Sequence, residues 1–225
     1  MSSGLVCTKE TLHKSIFNKD LDLIALNKEF SDSKPSDIMK FTVENASNPV
    51  IFTNFRPLAV AFLHLVTQPI PDIPVIWVDH GFNTPETYRH IERVVVDLNL
   101  NLKVYSPKMS AAHYTAVYGE IPPLDTPEHD RFSEIVKLEP FNRAMSEIQP
   151  DVWLNGIRHH QSKHRKNLNV FTFGSHGTVR VAPMFHLDEV DVEEYIFDRS
   201  LSDNHDYFDP TKGEEHRECG LLLQT

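Results

Sequence analysis

Cys219 stands six residues from the end of a 225-residue sequence, in the stretch HRECGLLLQT, beside Arg217, Glu218 and Gly220. Structural cysteines normally sit in apolar strands or helices, whereas this one follows the polar run TKGEEHRE. The placement fits a reactive thiol carried on a flap; the alternative is an incidental cysteine. A thiolate is the nucleophilic form, and nearby cations favour it. Such cations are concentrated elsewhere in the chain. From Val152 to Leu187 there is no Asp or Glu, while Arg158, Lys163, Arg165, Lys166 and Arg180 fall there with five histidines. In a chain of 32 acidic and 22 basic residues this is a local reversal of sign. Its centre, GIRHHQSKHRKN, can hold a polyanion through bidentate arginine contacts; the plainer alternative is a solvated basic loop. Metal binding by the histidines is opposed by the flanking Arg and Lys charges.

The elements that must position these groups follow from apolar patterning. The first 48 residues are predicted to be helical: TKETLHKSIFNKDLDLIALNKEF carries Leu12, Ile16, Leu23 and Phe30 at helical spacing, widened by Ile24 and Leu26, and Ser33 or Ser36 can cap a second helix through SDIMKFTVENA. PVIFTNF is a buried strand, followed by the helix PLAVAFLHLVTQ with Pro57 at its first turn. PVIWVDHG is the clearest strand, ending in Asp79 and Gly81, and TPETYRHIERVVVDLNL is a helix capped by Thr84. LKVYSP, VWLNGI, NVFTFG and TVRVAPMF supply further strands; MSAAHYTAVYGE, LEPFNRAMSEI and DEVDVEEYIFDR supply helices, the last capped by Asp188.

Strands that alternate with helices and are apolar throughout predict an α/β fold, a mostly parallel twisted sheet with helices on both faces. Ligands of such folds bind at the carboxyl ends of the strands, which is where Asp79 and the segments after Phe52 and Ile157 project. Asp79 has a plainer role as a turn cap. The expected organisation is one domain over 1–225: N-terminal helices to 48, an α/β core over 49–200 and a mobile C-terminal tail over 201–225.

Bulk composition narrows the function. A net charge of -10 opposes general attraction to nucleic acid or anionic membrane. No apolar run is long enough to span a bilayer, and MSSGLVCTKE lacks the pattern of a secretory signal. Two cysteines, Cys7 and Cys219, are too few for a thiolate zinc site or an iron–sulfur cluster. A cytoplasmic protein without bound cofactor or metal is expected, with Cys7 incidental.

Six pieces in order, from about Asn48 onward, resemble the phosphoadenylyl-sulfate (PAPS) reductases of the adenine nucleotide α-hydrolase-like superfamily: VIWVDHGFNTPETY, LKVY, KLEPFNRAM, GIRHHQSKHRKNL, VRVAPMFHLDEVDVEEYI and the terminal RECGL. The resemblance implies that Cys219 attacks the sulfur of 3′-phosphoadenosine 5′-phosphosulfate, giving a cysteine S-sulfonate and adenosine 3′,5′-bisphosphate. Thioredoxin or glutaredoxin would then free sulfite, as sulfate assimilation requires. It implies a substrate site drawn from Thr53, Asn54, Arg56, Asp79, Gly81, Arg158, Gln161, Ser162, Lys163, Arg165 and Arg217. Homodimers are common among such proteins. The missing cysteine pairs favour the 3′-phosphorylated substrate over adenosine 5′-phosphosulfate, although cluster-free reductases of the latter exist.

The sequence departs from the family pattern twice. A Ser-rich loop ending in Phe-Gly usually follows the first strand, and here FTNFRPLA replaces it, with Arg56 at the glycine position. Arg56 can supply a charge contact or be a surface residue before a helix. The usual His after Cys-Gly-Leu is Leu222. A reductase, a non-catalytic adenine-nucleotide-binding protein on the same scaffold, and a sulfur-transfer relative acting on nucleic acid therefore stand as distinct readings, the last opposed by the net charge.

Overall fold

The computed structural model describes residues 15–212. Six strands form one sheet: β1 (Pro49–Thr53), β2 (Pro74–Val78), β3 (Asn101–Tyr105), β4 (Val152–Leu154), β5 (Phe171–Phe173) and β6 (Val179–Val181). Their order is β3-β2-β1-β4-β6-β5. Every pair is parallel except β5–β6, so the expected mostly parallel sheet is present.

The helices are α1 (Leu23–Glu29), α2 (Pro35–Asn45), α3 (Ala59–Thr67), α4 (Pro85–Asp97), α5 (Ala111–Tyr118), α6 (Pro127–Ser133), α7 (Glu139–Ile148) and α8 (Glu189–Asp198). Period-two alternation sends strand side chains to both faces. Ile51, Val75, Val152 and Leu154 join one core with α2, α3, α4 and α8, while Val50, Ile76, Val78 and Trp153 pack against Phe141, Ala144 and Met145 of α7 on the other. From β1 the chain winds outward through α3 and α4 to β3, then returns past α7 to β4 on the far side of β1. That reversal makes the carboxyl ends of β1 and β4 a topological switch point, where open α/β sheets bind ligands.

Local chemistry sets the helix starts that matter. Thr84 Oγ1 accepts the Thr87 N–H at 3.1 Å and Pro85 takes the first position of α4. Asp188 and Asp191 form a reciprocal capping box on α8.

Several expectations need correction. Within residues 15–30 only Leu23–Glu29 is helical, because the Asp22 carboxylate caps it by accepting from Ile24 N and Ala25 N; residues 8–14 lie outside the described residues. Ile24 points to solvent and is 86% exposed, so it does not widen the buried face. Neither Ser33 nor Ser36 caps α2: Pro35 opens it after an extended Lys34 that makes no side-chain cap bond. Pro57 precedes α3 rather than lying in its first turn, because Leu58 adopts a left-handed conformation (φ 67°). The TPEHDRFS segment, with no element assigned from sequence, forms α6 and runs through a π-helical turn (Glu134–Leu138) into α7.

Candidate active site

The loop after β1 carries Thr53, Asn54 and Arg56. Thr53 is buried and its hydroxyl accepts the Phe55 N–H at 3.2 Å. Asn54 Nδ2 donates to the Tyr207 hydroxyl at 2.7 Å, and its Oδ1 accepts the Arg56 N–H at 3.4 Å. Arg56 is half-buried. Phe55 and Leu58 both have positive φ, 52° and 67°, conformations that non-glycine residues adopt at a cost. The Leu58 N–H is held by both oxygens of Asp203, at 2.9 and 3.0 Å.

The loop after β2 is organised by Asp79. Its Oδ1 accepts from Gly81 N at 3.0 Å, Asn83 Nδ2 at 3.1 Å and the Tyr88 hydroxyl at 2.8 Å. Asp79 thus serves as the turn cap that its type allows, and it is half-buried at the strand end. Burial and the bond to Asp79 raise the Tyr88 hydroxyl pKa, keeping it a donor. Gly81 lies at φ 81°, where a Cβ would come within 2.9 Å of the Ala111 Cβ, so glycine is required on both counts. His80 is buried, and its Nδ1 accepts the Phe82 N–H at 3.1 Å. Burial lowers its pKa to about 4, partly offset by the carboxylate of Asp209; the ring is neutral at physiological pH.

The loop after β4 is the basic island. Arg158 and Arg165 are buried, at 5% and 6% exposure. Gln161 Oε1 accepts both the Arg158 N–H, at 3.1 Å, and a short bond from Arg165 Nη1. Ser162 Oγ accepts the Arg165 N–H at 3.2 Å, and Arg158 Nη1 donates to the Asp188 carbonyl at 2.9 Å. Burial lowers the Arg158 pKa; Glu189 acts against that, and Arg165 adds to it. Two buried guanidinium groups therefore lie in one loop, that of Arg158 on the Asp188 carbonyl and that of Arg165 on Gln161 Oε1, and an adjoining anion would offset their charge. Gln161 and Ser162 are half-buried, whereas Lys163 is exposed.

Residues 203–211 tie the first two loops together. Asn204 Nδ2 donates to Thr87 Oγ1 at 3.1 Å, and Thr87 Oγ1 donates to the Asp206 carbonyl at 2.7 Å. Lys137 Nζ meets Asp209 Oδ2 at 2.5 Å. Residues 209–211 form a turn: Asp209 Oδ1 accepts the Thr211 N–H at 3.0 Å and its hydroxyl at 2.7 Å. Arg217 and Cys219, like Cys7, lie outside the described residues.

Sequence reasoning missed Lys137, His80, Asn204, Tyr207 and the partner role of Asp209. Lys137 alone left a signal, as a lysine inside the apolar run IVKLEPF. Among the described residues, no group of three or more His, Cys, Asp or Glu side chains is placed to hold a metal ion, and no helix is long and apolar enough to cross a membrane.

A doubly wound α/β sheet with polar and cationic loops gathered at its switch point defines the class. Within it, the chain belongs to the phosphoadenosine phosphosulfate reductase domain family, whose model matches residues 48–209. A phosphoadenosine 5′-phosphosulfate reductase of a Synechococcus strain is 34% identical over 77% of this chain and 75% of its own length. A reductase of the same name from a Synechocystis strain is also 34% identical, over 84% and 76%. The crystal structure of a PAPS reductase from Candida auris, a phosphate complex, superposes with a TM-score of 0.70 at 24% identity, covering 80% of this chain and 87% of that one. The last likeness shows the fold.

Proposed function

We propose that this protein reduces 3′-phosphoadenosine 5′-phosphosulfate to sulfite and adenosine 3′,5′-bisphosphate, with Cys219 as nucleophile. The Cys219 thiolate attacks the sulfate sulfur and the S–O bond to the 5′-phosphate breaks, so the electron pair leaves with the phosphate oxygen. The S-sulfonate is then attacked by an external dithiol of the thioredoxin or glutaredoxin class. Sulfite departs, and the dithiol is oxidised to a disulfide as Cys219 is returned to its thiol. No second cysteine stands near Cys219 in the sequence, so on this reading Cys7 is incidental and the partner supplies the second thiol.

One observation carries the reading: the buried guanidinium groups of Arg158 and Arg165 in the loop after β4, at the switch point of the sheet, where Gln161 Oε1 joins the Arg158 backbone N–H to the Arg165 side chain. A polyanionic substrate and a thiolate both need such compensation. Asp79 and Gly81, after β2, form the nucleoside side of the site, while Thr53, Asn54 and Arg56, after β1, meet phosphate or sulfate, with Ser162, Lys163 and Arg217 adding to the anion side. The names of the bacterial relatives and the phosphate held by the Candida auris protein support the same assignment.

The test is turnover of the Cys219→Ser variant with reduced thioredoxin. Sulfite release should vanish while adenosine 3′,5′-bisphosphate still binds; surviving turnover would refute the mechanism. A second reading, nucleotide binding without chemistry, is favoured by the FTNFRP loop, whose Asn54 amide is engaged by Tyr207. It predicts binding without sulfite from the unaltered protein.

A further inference from the structure

Two donors in the loop after β1 are of the kind that oxyanions seek. One is the Leu58 N–H at the start of α3, where the partial positive charge of a helix N-terminus falls. The other is the Asn54 side-chain amide. Both are already engaged, and by one short stretch of chain. The Asp203 carboxylate takes the Leu58 N–H with both oxygens, at 2.9 and 3.0 Å, and the Tyr207 hydroxyl takes Asn54 Nδ2 at 2.7 Å. Between them, Asn204 Nδ2 donates to the Phe55 carbonyl at 3.4 Å. Residues 203–208 belong to no helix or strand and run between two fixed ends. Before them the Leu201 N–H donates to the Ile196 carbonyl of α8 at 3.0 Å, and after them Asp209 is paired with Lys137. Within the stretch only Asn204 is buried; Asp203 and Tyr207 are half-buried, and His205, Asp206 and Phe208 are exposed. It lies at the surface and can lift without opening the apolar core.

We propose that residues 203–207 form an autoinhibitory strap that competes with the nucleotide for the loop after β1. The Asp203 carboxylate and the Tyr207 hydroxyl hold the donors that ligand oxygens take, and nucleotide binding lifts the strap. The inference rests on the reading that this loop meets phosphate or sulfate. A carboxylate on a helix N-terminus is the intramolecular counterpart of an oxyanion. Next to a polyanionic ligand it is also a like charge, which disfavours both being present together. The apparent affinity is then scaled down by the fraction of molecules in which the strap is up. By linkage, nucleotide loosens the strap by the same factor by which the strap weakens nucleotide binding. A carboxylate that only capped α3 would make the same contacts and respond differently: its loss would lower stability and bring no gain in affinity.

The experiment uses the full-length Cys219→Ser protein, which binds 3′-phosphoadenosine 5′-phosphosulfate without reacting, and the same protein carrying Asp203→Asn. Two quantities are measured: calorimetric affinity for that nucleotide, and hydrogen exchange across 203–208, where Asn204 Oδ1 holds the Asp206 N–H at 3.1 Å. Saturating nucleotide should speed exchange in this stretch, the reverse of the slowing that a ligand gives to the groups it covers. Asparagine keeps the shape of Asp203 but replaces a charge-assisted bond by one about half as strong. Asp203→Asn should therefore bind the nucleotide about five- to ten-fold more tightly. Exchange that slows or stays unchanged in the bound protein would overturn the proposal, and that measurement needs no change at Asp203. Affinity that is equal or weaker in Asp203→Asn would also overturn it and leave Asp203 as a cap of α3. No binding by either protein would refute the nucleotide reading itself, and the strap with it.

Discussion

The Asn54 side-chain amide donates to the Tyr207 hydroxyl at 2.7 Å, joining residues 153 positions apart in the sequence. The loop after β1 and the segment that leads to Cys219 are thus held as one unit. Tyr207→Phe removes the acceptor and should lower stability by about 1 kcal/mol. At this chain length that is a fall of about 2–4 °C in melting temperature. The freed Asn54 amide becomes available to a ligand, so nucleotide affinity should hold or rise, which calorimetric titration measures directly.

The arginine loop gives a second prediction. Arg165 is buried with its guanidinium on Gln161. Lysine keeps the charge but loses the planar fork. Charge-assisted hydrogen bonds contribute about 1.5–3 kcal/mol, so Arg165→Lys should weaken adenosine 3′,5′-bisphosphate binding roughly ten- to a hundred-fold. Lys163→Met, at an exposed position, should weaken it far less. Equal effects of the two substitutions would contradict a built anion pocket.

Acid stability follows from His80. Its folded pKa, about 4, lies below its ordinary value of 6.5, so between those values the unfolded chain binds more protons than the folded one. Stability is then fully present above pH 6.5 and is lost as pH falls toward 4, by on the order of 3 kcal/mol. Burial lowers His64 and His90 in the same direction, while Asp209 adds a further loss at still lower pH. Urea unfolding at a series of pH values should show the decline, and His80→Asn should flatten it. An unchanged slope in that variant would exclude His80 as its source.

Gly81→Ala tests the turn that holds Asp79. At φ 81°, with the Ala111 Cβ 2.9 Å from the added carbon, the substitution is strained by conformation and by contact alike. A loss of about 1–3 kcal/mol is expected, read as a lower melting temperature. Nucleotide affinity should fall with it, because relief of the strain shifts the residue 81 N–H away from the Asp79 carboxylate.

The parts of this protein that local chemistry dictates were legible in the sequence. Thr84 and Pro85 announce the start of α4, Asp188 that of α8, and the apolar runs around Val75 and Val152 mark buried parallel strands. The basic island was visible as a sign reversal, but the sequence did not show that Arg158 and Arg165 are buried while Lys163 is exposed. Tertiary context decided the rest. Ile24 lies in an apolar pattern yet faces solvent, because Asp22 starts α1 where the buried face falls on Leu26 instead. Lys137 stands out as a lysine in an apolar run, but its partner Asp209, 72 residues later, is identified only when the fold brings the two together.

Formation of an S-sulfonate on Cys219 is directly observable. Intact and peptide mass should be measured after mixing reduced protein with 3′-phosphoadenosine 5′-phosphosulfate in the absence of any thiol. The peptide containing Cys219 should gain one SO3 group, stoichiometric with released adenosine 3′,5′-bisphosphate. A protein that binds the nucleotide and gains no mass would contradict it and leave nucleotide binding without chemistry as the function of this fold.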